Sequence, residues 1–451
     1  LISQIVTAVR RFSQHRFVRD TVILQSGQLV GIFLSGVTSI LVSRILGPNL
    51  LGMYTLVLSL AAVMALLDLS ASGRVALVEI ARALGAGDTA EVRDALAYFL
   101  RINLQLNGLL VLAFFVAAPS IAQLAYRNAE IGQWARWLGL IELTDLPYQV
   151  LNLAYQSQRQ MRLLVRLETL RLALLSATMI AVLMLGWGIP ALVMSQLAIS
   201  IGFSVFSFLH YRQLALTDSR FPTWEIMLRR IPSVGVRSRL ALGFRVALDK
   251  NLGSFITQLP VLLLGTVNQP AVGYFGTALK VITLPQPLVS GVARNLDTFL
   301  PFQSGRGQAS LYSAFVRSTL YTGLLWSAVT VAFGLVAAPL LFIVYGPDYA
   351  PAIPMLFPLL LQSLAIGLGV GLGSTLRTLD KVQYSIGNQI LSLAVIGPIG
   401  YWAILQFGGY GAAWFYGLWF FASTLLGIGA TLWLLRHPQQ APHLTNSTTD
   451  T

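Results

Sequence analysis

Six polar residues, Glu142, Asp145, Gln149, Asn152, Gln156 and Arg159, recur at steps of 3, 4, 3, 4 and 3 inside an otherwise apolar run. That spacing puts them on one face of a helix. Hydrocarbon offers such a stripe no water to bond. The stripe is therefore expected to line a water- or substrate-filled space, or another polar helix. Glu142 and Asp145 stand one turn apart, and two carboxylates that close push one pKa up. They are the leading candidates for groups that answer to a proton or a sodium ion. Gln149 and Asn152 are the amides a substrate would meet. The alternative for the whole stripe is interhelical hydrogen bonding that only holds the helices together.

Two lysines raise a second possibility. At about 1.5 Å per residue, Lys250 and Lys280 both fall near the middle of apolar runs. A charge there costs roughly 2.5–3.5 kcal/mol to insert, so each needs a reason. Facing a cavity, two ammonium groups would attract a pyrophosphate or an acidic sugar. Otherwise Lys250 pairs with Asp249, itself a candidate coupling carboxylate, and Lys280 snorkels along its helix. Asp68 is a further candidate for an ion. Arg101, with Asn103 and Asn107 on a neighbouring face, is one for an anionic substrate. Catalysis finds no support. His15, His210, His437 and His443 sit at run ends or termini, there is no cysteine, and neither His-Glu-x-x-His nor Gly-x-Ser-x-Gly occurs. No metal or cofactor is expected beyond a coupling ion, H+ or Na+.

The elements that must position these residues follow from composition. Of 451 residues only 10% are charged and 55% are hydrophobic, with mean hydropathy +0.71. That is too little charge to cover a soluble surface. Roughly 20 apolar residues cross the ~30 Å hydrocarbon core, which allows about twelve spans. The fold class is thus an all-α polytopic membrane protein. The net charge of +13 sits in short connections and follows topology, not nucleic acid. With the N-terminus inside, the outer loops hold only Arg44, Arg127 and Arg136 of thirty Lys and Arg. Both termini are therefore expected in the cytoplasm.

The chain is one six-span module written twice. Val42–Tyr54 and Leu262–Phe275 correspond, with Gly47 matched by Gly265 and Gly52 by Gly273. At an offset of about 220 residues, Val116-Ala117-Ala118-Pro119 and Tyr126 return as Val336-Ala337-Ala338-Pro339 and Tyr345. Gly188 aligns with Gly409, and Arg162 with Lys381. The expected organisation is a basic amphipathic segment (1–20), a first lobe (21–209), a basic cytoplasmic linker (210–240), a second lobe (241–435) and a polar tail (436–451). An even number of spans per copy implies a pseudo-twofold axis along the membrane normal and a cavity between the lobes.

The R-x-L-G-P-x-x-x-G-x-Y pattern (Arg44, Leu46, Gly47, Pro48, Gly52, Tyr54) and the link A-R-A-L-G-A-G-D-T-A-E (residues 81–91) resemble the Wzx-type oligosaccharide flippases. These belong to the multidrug/oligosaccharidyl-lipid/polysaccharide exporter (MOP) superfamily, and the likeness covers about residues 17–435. It implies a MATE-like, two-lobe fold that moves a polyprenyl-pyrophosphate-linked oligosaccharide, a polysaccharide or O-antigen precursor, across a bacterial inner membrane. It also implies membrane lipids and polysaccharide polymerase machinery as partners. Lys250, Lys280, Gln149, Asn152 and Arg101 would then contact substrate. Glu142, Asp145, Asp249 and Asp68 would serve ion coupling. The nearest rival is a MATE-type multidrug or cation antiporter, which prefers an acidic cavity. A membrane-embedded O-antigen polymerase or ligase would need a large outer loop, and every outer loop here is short.

Overall fold

In the computed structural model the described residues are 16–158, 160–379 and 381–437; the side chains of residues 16–28, Asp249, Lys250 and a few others fall outside the description. Most of the expected basic segment, and the tail beyond His437, also lie outside it. Residues 16–20 continue directly into the helix of the first span.

Every described element is a helix or a turn, as hydrocarbon demands of a chain that must satisfy its own backbone. Among the described residues, seven helices are long and apolar enough to cross a membrane. The protein is an all-α polytopic membrane protein, and the expected spans fall on helices, several of them interrupted. Helix α1 (Arg16–Leu66) carries spans one and two. The amphipathic α2 (Ser72–Ala86) follows. Span three is α3 (Thr89–Ile102), a π-turn at Asn103–Asn107 and α4 (Gly108–Tyr126). Span four is α5 (Ala129–Gly139), α6 (Ile141–Thr144) and α7 (Leu146–Ser157). Then come α8 (Met161–Met184), α9 (Gly188–Thr217), the short α10 (Trp224–Arg230) and α11 (Arg237–Val267). The remainder comprises α12 (Gln269–Thr283), α13 (Pro287–Ser304), α14 (Gln308–Tyr345), α15 (Ile353–Gly369), α16 (Leu372–Thr378) and α17 (Val382–Arg436).

Two of these helices are folded back by one glycine each. In α1, Gly47 takes φ 68°, ψ 173°, open to glycine and strained for other residues. Pro48 then restarts the helix where a missing N–H does no harm. In α17, Gly408 has φ 54°, ψ −126°. A straight helix would hold residues 400 and 415 about 22 Å apart. Instead a Cβ on Gly400 would run into the Phe415 ring, and the Asn388 amide donates to Ser423 O at 2.8 Å. The turn residues of the sequence repeat thus recur in the backbone. Tyr126 and Tyr345 are both buried at helix ends, and Gly186 and Gly188 take the positive φ that Gly408 takes later.

By contacts the chain divides after Gln258. In the first unit, α1 packs on α5 and α8, α4 on α5, and α2 on α3 and α7. One core of this unit joins Ile80, Val92, Leu96 and Leu151 to Tyr211, Phe221 and Met227. In the second unit, α15 packs on α14, α12 and α17, and Leu296, Leu300, Leu311, Phe315 and Leu435 form a core. The segment 210–240 is therefore built into the first unit. Tyr211 is fully buried and donates to Pro222 O at 2.9 Å. Arg230 reaches Asp94 at 2.8 Å, and Arg239 reaches Glu79 at 2.9 Å and Glu91 at 2.5 Å. Burial pushes the Glu79 carboxyl up, and Arg239 draws it back down.

Close backbone approach gives a direct test of the first unit. A Cβ at Gly132 on α5 would collide with the backbone of Ala118 and Pro119 on α4, whereas one at Gly202 on α9 meets nothing within 4 Å. Gly132→Ala should cost about 1–3 kcal/mol and lower the melting temperature of the purified protein. Gly202→Ala, in an open helical position, should leave it unchanged or raise it.

Candidate functional site

The first unit contains a polar cavity of about 360 Å3 where α1 breaks before α2. It is built from three helix irregularities. The first is the break itself, residues 67–71. The Asp68 carboxylate accepts from Ser70 N at 2.8 Å and Ser70 Oγ at 2.5 Å, and Ser70 Oγ accepts from Ser72 N at 3.2 Å. This Asx-type turn replaces the helical bonds that the chain gives up. Ala71 is left-handed at φ 43°, a strained value for a residue with a Cβ.

The second irregularity is the π-turn at Asn103–Asn107. Such single-turn bulges occur often at functional sites. Here it turns Asn103 toward the break. Its Nδ2 donates to Ser72 Oγ at 3.0 Å and to Phe99 O at 2.8 Å, while its Oδ1 accepts from Asn107 at 2.9 Å. One hydrogen-bonded chain therefore runs from Asp68 through Ser70, Ser72 and Asn103 to Asn107.

The third interrupts span four. The spacing predicts one polar stripe on one continuous helix, but the helix stops at Leu140 and again at Asp145. Pro147 has no N–H to donate and stands in the first turn of α7. Thr144 is drawn aside by α9: its carbonyl accepts from Ser204 Oγ, and its hydroxyl meets Ser200 Oγ at 2.6 Å. The stripe is thereby divided. Glu142 and Gln149 line the cavity with Asp68 and Asn103. Asp145 instead forms an ion pair with Arg171 at 2.5 Å and accepts from Ser200. Asn152 and Gln156 are half-buried away from the cavity lining, and Arg159 lies outside the described residues. Glu142 has neither a hydrogen bond nor an ion pair among the described residues, and it is exposed to the cavity.

Helix α11 closes the wall. Gly243 lies so near the Ser70 carbonyl that any Cβ would overlap it. About two helix turns further on, the Asn251 amide donates to Leu66 O at 2.9 Å and Asp68 O at 2.8 Å. It thus satisfies two carbonyls that the break leaves open. Sequence reasoning passed over Asn251 and Ser72, although an asparagine deep in an apolar run is itself a signal.

The other candidates are placed elsewhere. Arg101 donates from Nη1 to Val234 O at 2.8 Å and Pro232 O at 3.2 Å, and from Nε to Gln105 at 3.2 Å. It fastens the 231–234 turn to α3. Lys280, on α12 in the second unit, has no ion-pair partner among the described residues. The side chains of Asp249 and Lys250 lie outside the description. No cluster of His, Asp and Glu that would hold a metal occurs among the described residues.

A family model described as "polysaccharide biosynthesis protein" matches residues 41–354. No curated protein matches the sequence. Among solved structures, an inward-facing multidrug resistance MATE family transporter of the MOP superfamily is similar at TM-score 0.66 and 17% identity, over 92% of this chain and 95% of that one. A MOP superfamily transporter from Pyrococcus furiosus, whose binding pocket is described as reversed in polarity, is similar at TM-score 0.65 and 17% identity, over 93% and 96%. A MATE protein solved with the molecule MaD3S gives 0.62 and 18%, over 93% and 96%. At these identities the likeness establishes the fold.

Two substitutions separate the staple from the cavity. Asn251→Ala strands two carbonyls and should cost about 1–3 kcal/mol, read as a lower melting temperature. Arg101→Ala should destabilise similarly while leaving substrate affinity of the folded fraction unchanged. A selective loss of affinity would instead make Arg101 a ligand.

Proposed function

Because this chain belongs to the polysaccharide biosynthesis protein family and has the fold of a MOP superfamily transporter, we propose that it is a flippase for a polyprenyl-pyrophosphate-linked oligosaccharide. The cargo is a polysaccharide or O-antigen precursor, moved from the inner to the outer leaflet of a bacterial plasma membrane by alternating access. The protein is a multi-pass membrane transporter, and in the proposed role it sits in the inner membrane with both termini in the cytoplasm. The observation that carries it is the family match over residues 41–354, which ties a transporter fold to polysaccharide assembly. The cavity supports it chemically. Gln149, whose amide can both donate and accept, and the side-chain carbonyls of Asn103 and Asn251 around an open polar space offer the donors and acceptors that sugar hydroxyls need. Lys250 and Lys280 are the two cations we assign to attracting the pyrophosphate, by their chemistry as mid-run ammonium groups. The product would be handed to polysaccharide polymerase machinery.

The same cavity supplies the coupling group. Glu142 is the carboxylate that a proton or sodium ion would reach, since it has no partner among the described residues. Asp68 is held by Ser70 and stands in the same lining. Asp145 is neutralised by Arg171, which leaves Glu142 in the leading role. These two carboxylates also favour the rival reading, a MATE-type cation antiporter.

Leaflet-resolved transport in proteoliposomes separates the readings. The wild type should flip a polyprenyl-pyrophosphate oligosaccharide, and Lys250→Ala/Lys280→Ala should flip it about tenfold more slowly, a loss of roughly 1.4 kcal/mol in the barrier. Glu142→Gln should flip at one rate with or without an imposed H+ or Na+ gradient. Export of organic cations with no flipping of any glycan lipid would establish the antiporter.

A further inference from the structure

The second unit contains a larger cavity, about 770 Å3, that plays no part in the proposed transport site. It lies between the two halves of α17, lined by Gln383, Tyr384, Gly387 and Leu391 on one side and by Leu425 and Gly429 on the other. Its volume is that of an ordinary small-molecule site. From Gln383 to Leu391 the groove runs about 12 Å, close to the ~15 Å depth of one leaflet's hydrocarbon. The large side chains beside it, Ile390, Leu391, Val395, Leu425 and Leu426, are exposed, which on a membrane span means contact with lipid.

Its glycines point to an occupant. A glycine inside a helix costs stability relative to alanine, and at several helical positions of this protein the missing Cβ admits a neighbouring backbone. Gly417, for example, admits the Pro358 carbonyl. At Gly387 and Gly429 an added Cβ would meet nothing within 4 Å. Packing within the chain does not use the space they leave. Beside the groove the two halves are tied together by the Asn388 amide, which donates to the Ser423 carbonyl and hydroxyl at 2.8 and 3.1 Å.

One end of the groove is cationic. Lys381 precedes the first residue of α17 and Arg436 is its last, and the fold at Gly408 returns the second half toward the start of the first. Both charges therefore stand at the end marked by Gln383 and Tyr384. The Lys381 ammonium has no ion-pair partner among the described residues, and Arg436 donates to the Tyr312 hydroxyl at 3.1 Å while staying exposed. An apolar trough about one leaflet deep, with two cations just beyond the residues that line its membrane-surface end, matches a hydrocarbon chain bearing an anionic head. We propose that this groove is a binding site for an anionic phospholipid of the surrounding membrane, its acyl chain between the halves of α17 and its phosphate at Lys381 and Arg436. The site is independent of what the transporter carries.

The test uses the full chain in nanodiscs and a phosphatidylglycerol with a photoactivatable diazirine in its acyl chain. Adducts should map to residues 383–391 and 425–430 and be displaced by unlabelled phosphatidylglycerol in preference to phosphatidylcholine. Gly387→Leu/Gly429→Leu fills the open space and should cut labelling at least fivefold, with an unchanged melting temperature as the control for folding. Lys381→Gln keeps the trough and should abolish the preference for phosphatidylglycerol, which tests the head site even where the filled variant fails to fold. Equal labelling by a phosphatidylcholine probe, unaffected by Lys381→Gln, would reduce the groove to ordinary lipid contact. Displacement by polyprenyl phosphate at tenfold lower concentration than phosphatidylglycerol would overturn the proposal by assigning the groove to the cargo.

Discussion

The satisfaction of a broken backbone inside an apolar protein is the constraint on which the first unit depends. Where α1 ends before α2, carbonyls and N–H groups lose their helical partners, and in hydrocarbon each unsatisfied group costs several kcal/mol. The protein meets that cost locally with Asp68, Ser70 and Ser72. It meets it at long range with Asn251, which serves Leu66 and Asp68 from 185 and 183 residues away. Once those polar groups are assembled, the space beside them is polar too. Asn103 can turn into it through a π-bulge, and Glu142 and Gln149 can face it from span four. The cavity is thus a consequence of the break, and irregular backbone is tolerated at membrane depth because it lines such a space.

The second copy of the module treats the corresponding place differently. At the offset of 220 set by Val116 and Val336, Asn103 becomes Gly323, and at the offset of 219 set by Tyr126 and Arg162, Gln149 becomes Leu368. Gly323 packs against the Leu368 side chain, and Trp326 donates to Ser363 O at 2.9 Å while Thr330 meets Ser363 Oγ at 2.9 Å. Aromatic bulk and short hydroxyl contacts fill what the first unit leaves open. The repeat therefore keeps its turns while its interiors diverge, and the polar cavity at the helix break belongs to the first unit.

How much of this could be read beforehand depends on the range of the interaction. Gly47-Pro48 and the Gly-rich hairpins were legible because a positive φ or a missing N–H is a property of one residue. The charge balance of the loops and the apolar runs gave the spans for similar reasons. The polar stripe of span four was legible as composition, but its division was not. Pro147 announces an interruption, yet only the α9 hydroxyls of Ser200 and Ser204 and the Arg171 charge decide that Asp145 leaves the stripe. Arg101 shows a related limit: a shallow arginine among asparagines suits a ligand, and nothing local shows that residues 232 and 234 will take its donors. The linker shows the same limit. Its basic composition marks a connection, whereas burial of Tyr211 and the pairing of Arg230 and Arg239 with α2 and α3 make it part of the first unit.

The central claim is that the break in the first unit opens a water-filled polar cavity, and the absence of cysteine from the chain allows that to be measured without a background thiol. Single-cysteine variants at Gln149 and at the lipid-facing Leu112, 62% exposed in the protein alone, would be reacted in liposomes with a charged maleimide. The account predicts rapid modification at position 149, slowed by a polyprenyl-pyrophosphate oligosaccharide, and little at position 112, where hydrocarbon excludes the reagent. Equal inertness at both positions would contradict it, because a cavity lined by Asp68, Asn103 and Glu142 that water does not enter could serve neither a sugar nor an ion.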